Sequence, residues 1–224
     1  MTIELQVLGD ADAVAARGAA IVAEAARAAV AERGAFAFAV SGGRTPLAMF
    51  RVLEEEDVPW ERVGIWQVDE RAAPDGDPDR NLTSLAPLFP AGAALHPMPV
   101  TEEDLEAAAE RYAASLPPAF DLAHLGMGDD GHTASLVPGD PALDVTDKDV
   151  VITAEYRGRR RMTLTYPVLT RARRVLWLVT GADKAPMLPR LLHGDPSIPA
   201  GRVAAPDQLV VADHAAAGQV PTTR

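Results

Sequence analysis

Between Phe120 and Gly139 an apolar-leaning run, Phe120–Leu125, ends in Gly126, Gly128 and Gly131 and delivers Asp130 and His132 two residues apart. Glycines in that density let the backbone turn sharply and approach a ligand closely, because they carry no Cβ and accept positive φ. An imidazole has an ordinary pKa near neutrality and can take and return protons at cellular pH, and a neighbouring carboxylate can fix its tautomer. Asp130 and His132 therefore have the composition of a general base with its orienting acid. The competing reading is structural, since strand ends followed by glycine turns are common in α/β domains and a histidine there can simply pack. On pattern alone the two weigh evenly.

A second stretch points to a ligand of a particular charge. Ala35–Val40 has the look of a short buried strand and runs into Ser41-Gly42-Gly43-Arg44-Thr45-Pro46, after which Leu47–Glu56 has helical spacing. Strand, glycine loop and a helix with proline in its first turn aim several backbone N–H groups at one spot, which suits a phosphate. Ser41 and Thr45 add hydroxyls, and the guanidinium of Arg44 can bond phosphate oxygens directly. Neither the G-x-G-x-x-G nor the G-x-x-x-x-G-K-[ST] spacing occurs, so no nucleotide cofactor is indicated. Asp69-Glu70-Arg71 closes a strand expected over Arg62–Val68, at the sheet end where ligands of α/β folds lie, so Asp69 and Arg71 are candidates for substrate contact. Arg161, at the start of a strand over Met162–Thr165, and Lys184, after Thr180-Gly181, are further cations within reach of an anion. The remaining arginines of the 157–174 region, Arg157, Arg159, Arg160, Arg171, Arg173 and Arg174, read as a solvated face. Asn81, after the long polar loop Ala72–Arg80, is suited to cap a helix or to offer its amide to a substrate hydroxyl, and the cap is slightly favoured.

Those residues need elements to hold them. Asp10 is suited to cap an Ala-rich helix that runs to about Arg33 and closes at Gly34. Thr101–Asp104 resembles a capping box ahead of a helix carrying Leu105, Ala109 and Tyr112 on one face. Strands are expected over Ile3–Leu8, at the edge over Ala94–Val100 around a surface His96, and over Val150–Ala154, Arg174–Thr180 and Gln208–Val211, while Val220–Arg224 is expected to fray. Alternating strand and helix patterns from end to end predict an α/β fold, a mostly parallel sheet with helices on both faces, in one domain over residues 1–224.

Composition narrows the function. The chain has 224 residues, no cysteine, five histidines without an H-x-x-x-H pair and a formal net charge of −11. Disulfides, thiolate nucleophiles and cysteine zinc sites are excluded, and no metal site has sequence support. The charge argues against nucleic acid and anionic membranes as partners. No apolar run is long enough to span a bilayer, and Met1–Leu8 carries Glu4 and no basic region, so a cytoplasmic location is expected. A monomer is favoured, although no motif encodes oligomeric state.

Four segments in order, S-G-G-R-T-P at Ser41–Pro46, V-D-E-R at Val68–Arg71, G-M-G-D-D-G-H-T-A-S-L-V-P-G at Gly126–Gly139, and R-M-T-L-T at Arg161–Thr165 with V-T-G-A-D-K at Val179–Lys184, closely resemble the 6-phosphogluconolactonases. The resemblance implies a Rossmann-like fold related to the sugar-phosphate isomerases, a sugar-phosphate lactone as the small-molecule partner, and metal-free hydrolysis of 6-phospho-D-glucono-1,5-lactone to 6-phosphogluconate in the oxidative pentose phosphate pathway, with no cofactor. It implies His132 with Asp130 as the catalytic pair and the Ser41–Thr45 loop, with Arg71, Arg161 or Lys184, as the phosphate site. The glucosamine-6-phosphate isomerase/deaminases share the glycine loop and the G-x-G-x-D-G-H segment, but continue with I-A-F-N-E-P. Here Leu136 and Val137 stand at the Asn and Glu positions, and Arg71 replaces the aromatic of their D-E-Y. The isomerase is the alternative, and a non-catalytic sugar-phosphate-binding domain is a second. Within the lactonase pattern, Arg44 and Arg80 stand where serine is common and Val137 where phenylalanine is.

Overall fold

Asp10 opens the first helix, its carboxylate accepting the N–H of Ala13 at 2.8 Å, and Gly34 closes it in the left-handed conformation at φ 81°. Both caps agree with the sequence reading. The structure, a computed structural model, describes residues 3–218 and 220, so most of the tail expected to fray, residues 221–224, lies outside the described residues. In chain order the main elements are β1 (Glu4–Leu8), α1 (Ala11–Arg33), β2 (Phe36–Val40), α2 (Arg44–Leu53), β3 (Val63–Gln67), β4 (Asp69–Arg71), α3 (Asn81–Leu85), β5 (Ala94–His96) and α4 (Leu105–Ala114). They continue with β6 (Leu122–Leu125), β7 (Val150–Ile152), β8 (Arg161–Leu164), α5 (Tyr166–Thr170), β9 (Val175–Val179), α6 (Leu188–Leu192), β10 (Gln208–Asp213) and α7 (His214–Ala217).

Seven strands pair in parallel in the order β1-β10-β9-β6-β2-β3-β5. Side chains alternate between the two faces, as strand geometry requires. On β9, Leu176 and Leu178 join α1, α2 and the phenylalanines 36, 38 and 50 in one core, while Val175, Trp177 and Val179 join Tyr112, Phe120 and Leu188 in the other. A parallel sheet covered on both faces must be apolar on both, which explains the near-continuous V-L-W-L-V. From β2 the order runs outward to β3 and β5 on one side and to β6, β9 and β10 on the other. The switch therefore falls between β2 and β6, where their carboxyl ends diverge and leave a crevice.

The sequence did not show a second sheet. β4 pairs antiparallel with β8, and β8 with β7. Val68 is the pivot, donating its N–H to Val40 of the large sheet and accepting that of Leu164 in the small one, each at 2.9 Å. Two local expectations are corrected as well. The cap of α4 is Asp104, whose carboxylate accepts the N–H of Ala107 at 3.0 Å, in place of a box starting at Thr101. His96 is half-buried, stacked on Trp66 with centroids 4.2 Å apart, because the edge strand β5 lies beside β3.

β6 carries an unusual core residue. His124 is fully buried, edge-on to Phe50, and neither ring nitrogen has a hydrogen-bond partner. Burial pushes its pKa down to about 3, far below the ordinary value near 6.5. Since the unfolded chain binds this proton first, the neutral ring stabilises the fold above pH about 6.5, and that stability is lost as pH falls toward 3, at about 1.4 kcal/mol per pH unit. Urea unfolding midpoints of wild type and His124→Leu, compared at pH 7 and 5, should show the smaller acid loss in the variant; equal losses would mean that the ring does not set the slope.

Candidate active site

The loop after β2 turns at Gly42 and Gly43. A Cβ on Gly42 would stand 2.1 Å from Asn81 Oδ1, so only glycine lets the two segments meet there, and Gly43 has φ 116°. Ser41 spends its hydroxyl on the loop itself, donating to the carbonyl of His124 at 3.0 Å. Arg44 already belongs to α2. Arg44 and Thr45 face a neighbouring recess with Thr180, Gly181 and Asp213, and the hydroxyls of Thr45 and Thr180 share a 2.7 Å hydrogen bond. Lys184 lines that recess and the main pocket alike and pairs with Asp183 at 2.9 Å.

Across the crevice β4 brings Asp69, Glu70 and Arg71. Glu70, which sequence reasoning left without a role, is fully buried. One of its oxygens accepts the N–H groups of Arg71 and Asn81, and the other those of Leu82 and the Gln67 amide, all at 2.8 Å. A carboxylate held by so many donors at the start of α3 does the capping expected of Asn81. Its partners lie up to twelve residues away and leave no local signature. Relieved of that duty, the Asn81 side chain donates to the carbonyl of Asp69 at 2.9 Å and accepts from the Arg71 guanidinium at 2.8 Å, which also donates to the carbonyl of Asp79 at 2.7 Å. Asp69 accepts the hydroxyl of Ser135 at 2.6 Å.

After β6 the glycine turn folds back on itself. Gly128 donates its N–H to the His132 carbonyl at 2.8 Å, and Gly131 sits at φ 81° against Ile198. This places His132 Nδ1 2.5 Å from Asp130 Oδ1, which also accepts the His132 backbone N–H at 3.0 Å. Burial raises the Asp130 pKa, but the His132 backbone N–H, its charge and its ring N–H outweigh that and bring it below the ordinary value, so the group stays a carboxylate. In the neutral ring a carboxylate on Nδ1 favours the proton there and leaves Nε2 as the acceptor. The His132 side chain is 22% exposed, open to a ligand from the crevice.

One cavity of about 250 Å³ collects Ser41, Gly42, Gly43, Asp69, Arg71, His132, Arg161 and Lys184, with Asp130 behind the imidazole. Of the residues singled out in the sequence, Arg44, Thr45 and Asp130 do not line it. Arg157, read as solvated, lines it as well. The cause is the tight turn from Tyr156 to Arg159, in which Arg157 and Gly158 take φ 53° and 79° and fold the hairpin back over the crevice. Arg159, Arg160 and Arg171 do pair at the surface, with Asp77, Glu106 and Asp149. Among the described residues no group of three His, Cys, Asp or Glu side chains could hold a metal ion, and no helix is long and apolar enough to cross a membrane.

A family model described as glucosamine-6-phosphate isomerases/6-phosphogluconolactonase matches residues 9–212. The 6-phosphogluconolactonase of Synechocystis sp. is 40% identical over 171 residues, 70% of this chain and 71% of that protein. That of Mycobacterium tuberculosis is 33% identical, with 99% of this chain and 100% of the relative covered. Among solved structures, a 6-phosphogluconolactonase from Shewanella baltica superposes with a TM-score of 0.85 at 25% identity, covering 94% of this chain and 97% of its own.

Proposed function

The chain belongs to the glucosamine-6-phosphate isomerase/6-phosphogluconolactonase family, and from that premise we propose that His132, held by Asp130, activates the water with which it hydrolyses 6-phospho-D-glucono-1,5-lactone to 6-phospho-D-gluconate. This is a step of the oxidative pentose phosphate pathway. The reading rests on one observation: an imidazole with its Nε2 free shares a cavity with a glycine loop and two cations, Arg71 and Lys184.

A lactone carbonyl is already activated, so the site needs to position it, deliver hydroxide and stabilise the oxyanion. The 6-phosphate lies against Gly42 and Gly43, between Arg71 and Lys184, and its binding energy becomes orientation of C1 toward His132. Nε2 takes a proton as water oxygen bonds to C1. The bond from C1 to the ring oxygen then breaks, and the same proton passes to that oxygen, leaving a hydroxyl and a carboxylic acid that ionises in water. Ser41 acts through the loop rather than on the ligand, Asp69 holds Asn81 and Ser135 in place, and Arg44 and Thr45 border the phosphate side. One domain carries the whole reaction, and a monomeric, cytoplasmic protein without nucleic-acid or membrane partners completes the proposal.

Val137 is apolar and buried at the position where the related deaminases carry glutamate, so ring-opening chemistry lacks its carboxylate here. Release of ammonia from glucosamine 6-phosphate would favour the isomerase reading. Thermal stabilisation by 6-phosphogluconate without lactone turnover would favour a binding domain. The deciding measurement compares kcat/KM for the phosphorylated lactone and for gluconolactone itself, with spontaneous hydrolysis subtracted. One charge-assisted hydrogen bond contributes about 1.5–3 kcal/mol, so the phosphorylated substrate should be favoured by at least about 10–100-fold. Equal values would remove the anchoring argument.

A further inference from the structure

Arg161 and Arg71 are direct cross-strand partners in the small sheet, two like charges side by side, yet their guanidinium groups take different partners. Arg71 turns to Asn81 and Asp79, beside the glycine loop. Arg161 instead meets an aromatic ring. Its guanidinium lies 5.1 Å from the centre of the Tyr156 ring. That ring stands edge-on to the His132 imidazole at 6.0 Å, and its hydroxyl donates to Asp130 Oδ2 at 3.4 Å. The exposed Arg157 lies over the same ring, also at 5.1 Å.

Arg161 is 8% exposed and, among the described residues, its Nε has no hydrogen-bond partner and its guanidinium makes one long hydrogen bond, 3.5 Å to the Ser135 hydroxyl. It forms no ion pair among the described residues. Burial lowers its pKa, helped by the like charges of Arg71 and Arg157 and offset in part by the charge of Asp69. A buried guanidinium not directly bonded to a carboxylate is costly for a fold to keep. A pocket that must meet a developing negative charge gives the reason to keep one.

Building on the lactonase reading, we propose that Arg161, assisted by Arg157, stabilises the negative charge that forms at C1, first on the tetrahedral oxyanion and then on the product carboxylate, and does not grip the phosphate. The pocket then has two cationic ends. Arg71 and Lys184 hold the phosphate against the glycine loop, and the arginine pair gathered on Tyr156 faces the reacting carbon. The tyrosine supplies a π-face for both cations and a hydroxyl for Asp130, which keeps the charge-stabilising group and the base in one assembly.

The test separates the two ends by substrate. Arg161→Gln should lower kcat/KM by about 10–100-fold, and by the same factor with phosphorylated and unphosphorylated gluconolactone. Inhibition by inorganic phosphate should be unchanged, whereas inhibition by 6-phosphogluconate weakens. Arg161→Lys, which keeps the charge but not the fork, should recover part of the loss. A loss confined to the phosphorylated lactone, or weakened inhibition by inorganic phosphate, overturns the proposal. Should Arg161→Gln fail to fold, Arg157→Ala decides: an equal loss on both lactones supports the assignment, while no loss, or one seen only with the phosphorylated lactone, refutes it. Failure of the lactonase reading looks different, since wild type itself would then lack turnover or show no preference for the phosphate.

Discussion

Replacing His132 with alanine should lower kcat by about 10²–10⁴-fold, the range attributed to a positioned general base. The argument rests on the free Nε2: Asp130 holds Nδ1 at 2.5 Å, so the second nitrogen is the only one able to take a proton from water. The substitution leaves Gly42, Gly43, Arg71 and Lys184 in place, so inhibition by inorganic phosphate should survive at nearly the wild-type concentration. It should also leave the fold, because the ring is partly open to the crevice. Initial rates on the phosphorylated lactone, corrected for spontaneous hydrolysis, check the first expectation, and phosphate inhibition on the residual rate checks the second. Turnover within a fewfold of wild type would take His132 out of the mechanism.

How much of this was legible in the sequence depends on the distance over which each interaction acts. The Asp130–His132 pair and the turn at Gly42-Gly43 are local, so residue type and spacing revealed them. The caps at Asp10 and Gly34 were read for the same reason, and so was the V-L-W-L-V core strand. Glu70 was missed because its partners, Asn81 and Leu82, lie across the loop Ala72–Arg80, and no spacing rule links a strand-end carboxylate to a helix that far on. Arg157 was read as surface and is exposed, but that it also lines the cavity was not legible, because this follows from a left-handed turn, a conformation that its residue type does not signal. Ser41 and Thr45 were given to a ligand because a hydroxyl beside a glycine loop suits one; that each also holds a partner in the protein, far off in sequence, was not legible. The small antiparallel sheet could not be foreseen either, since its strands are short and Asp69–Arg71 reads equally well as loop.

The glycine turn makes a second demand on the same chemistry. A Cβ at Gly128 would stand 2.1 Å from His132 Nδ1, 2.2 Å from Cε1 and 2.7 Å from Asp130 Oδ1, separations that van der Waals contact forbids. Gly128 does not have positive φ, so alanine fits its backbone, and the turn remains closed by the hydrogen bonds to the His132 carbonyl and from Gly131. The imidazole is the part that can yield, and it yields away from Asp130. Gly128→Ala should therefore lower kcat by about 10²-fold, the scale of loss for a reacting group displaced by an ångström. The melting temperature should change little, because no core packing is lost. Kinetics and thermal unfolding of the same sample check both halves. A variant that melts far below wild type would show that the glycine serves the fold, and one with undiminished kcat would show that the contact between Nδ1 and Asp130 is not what prepares the base.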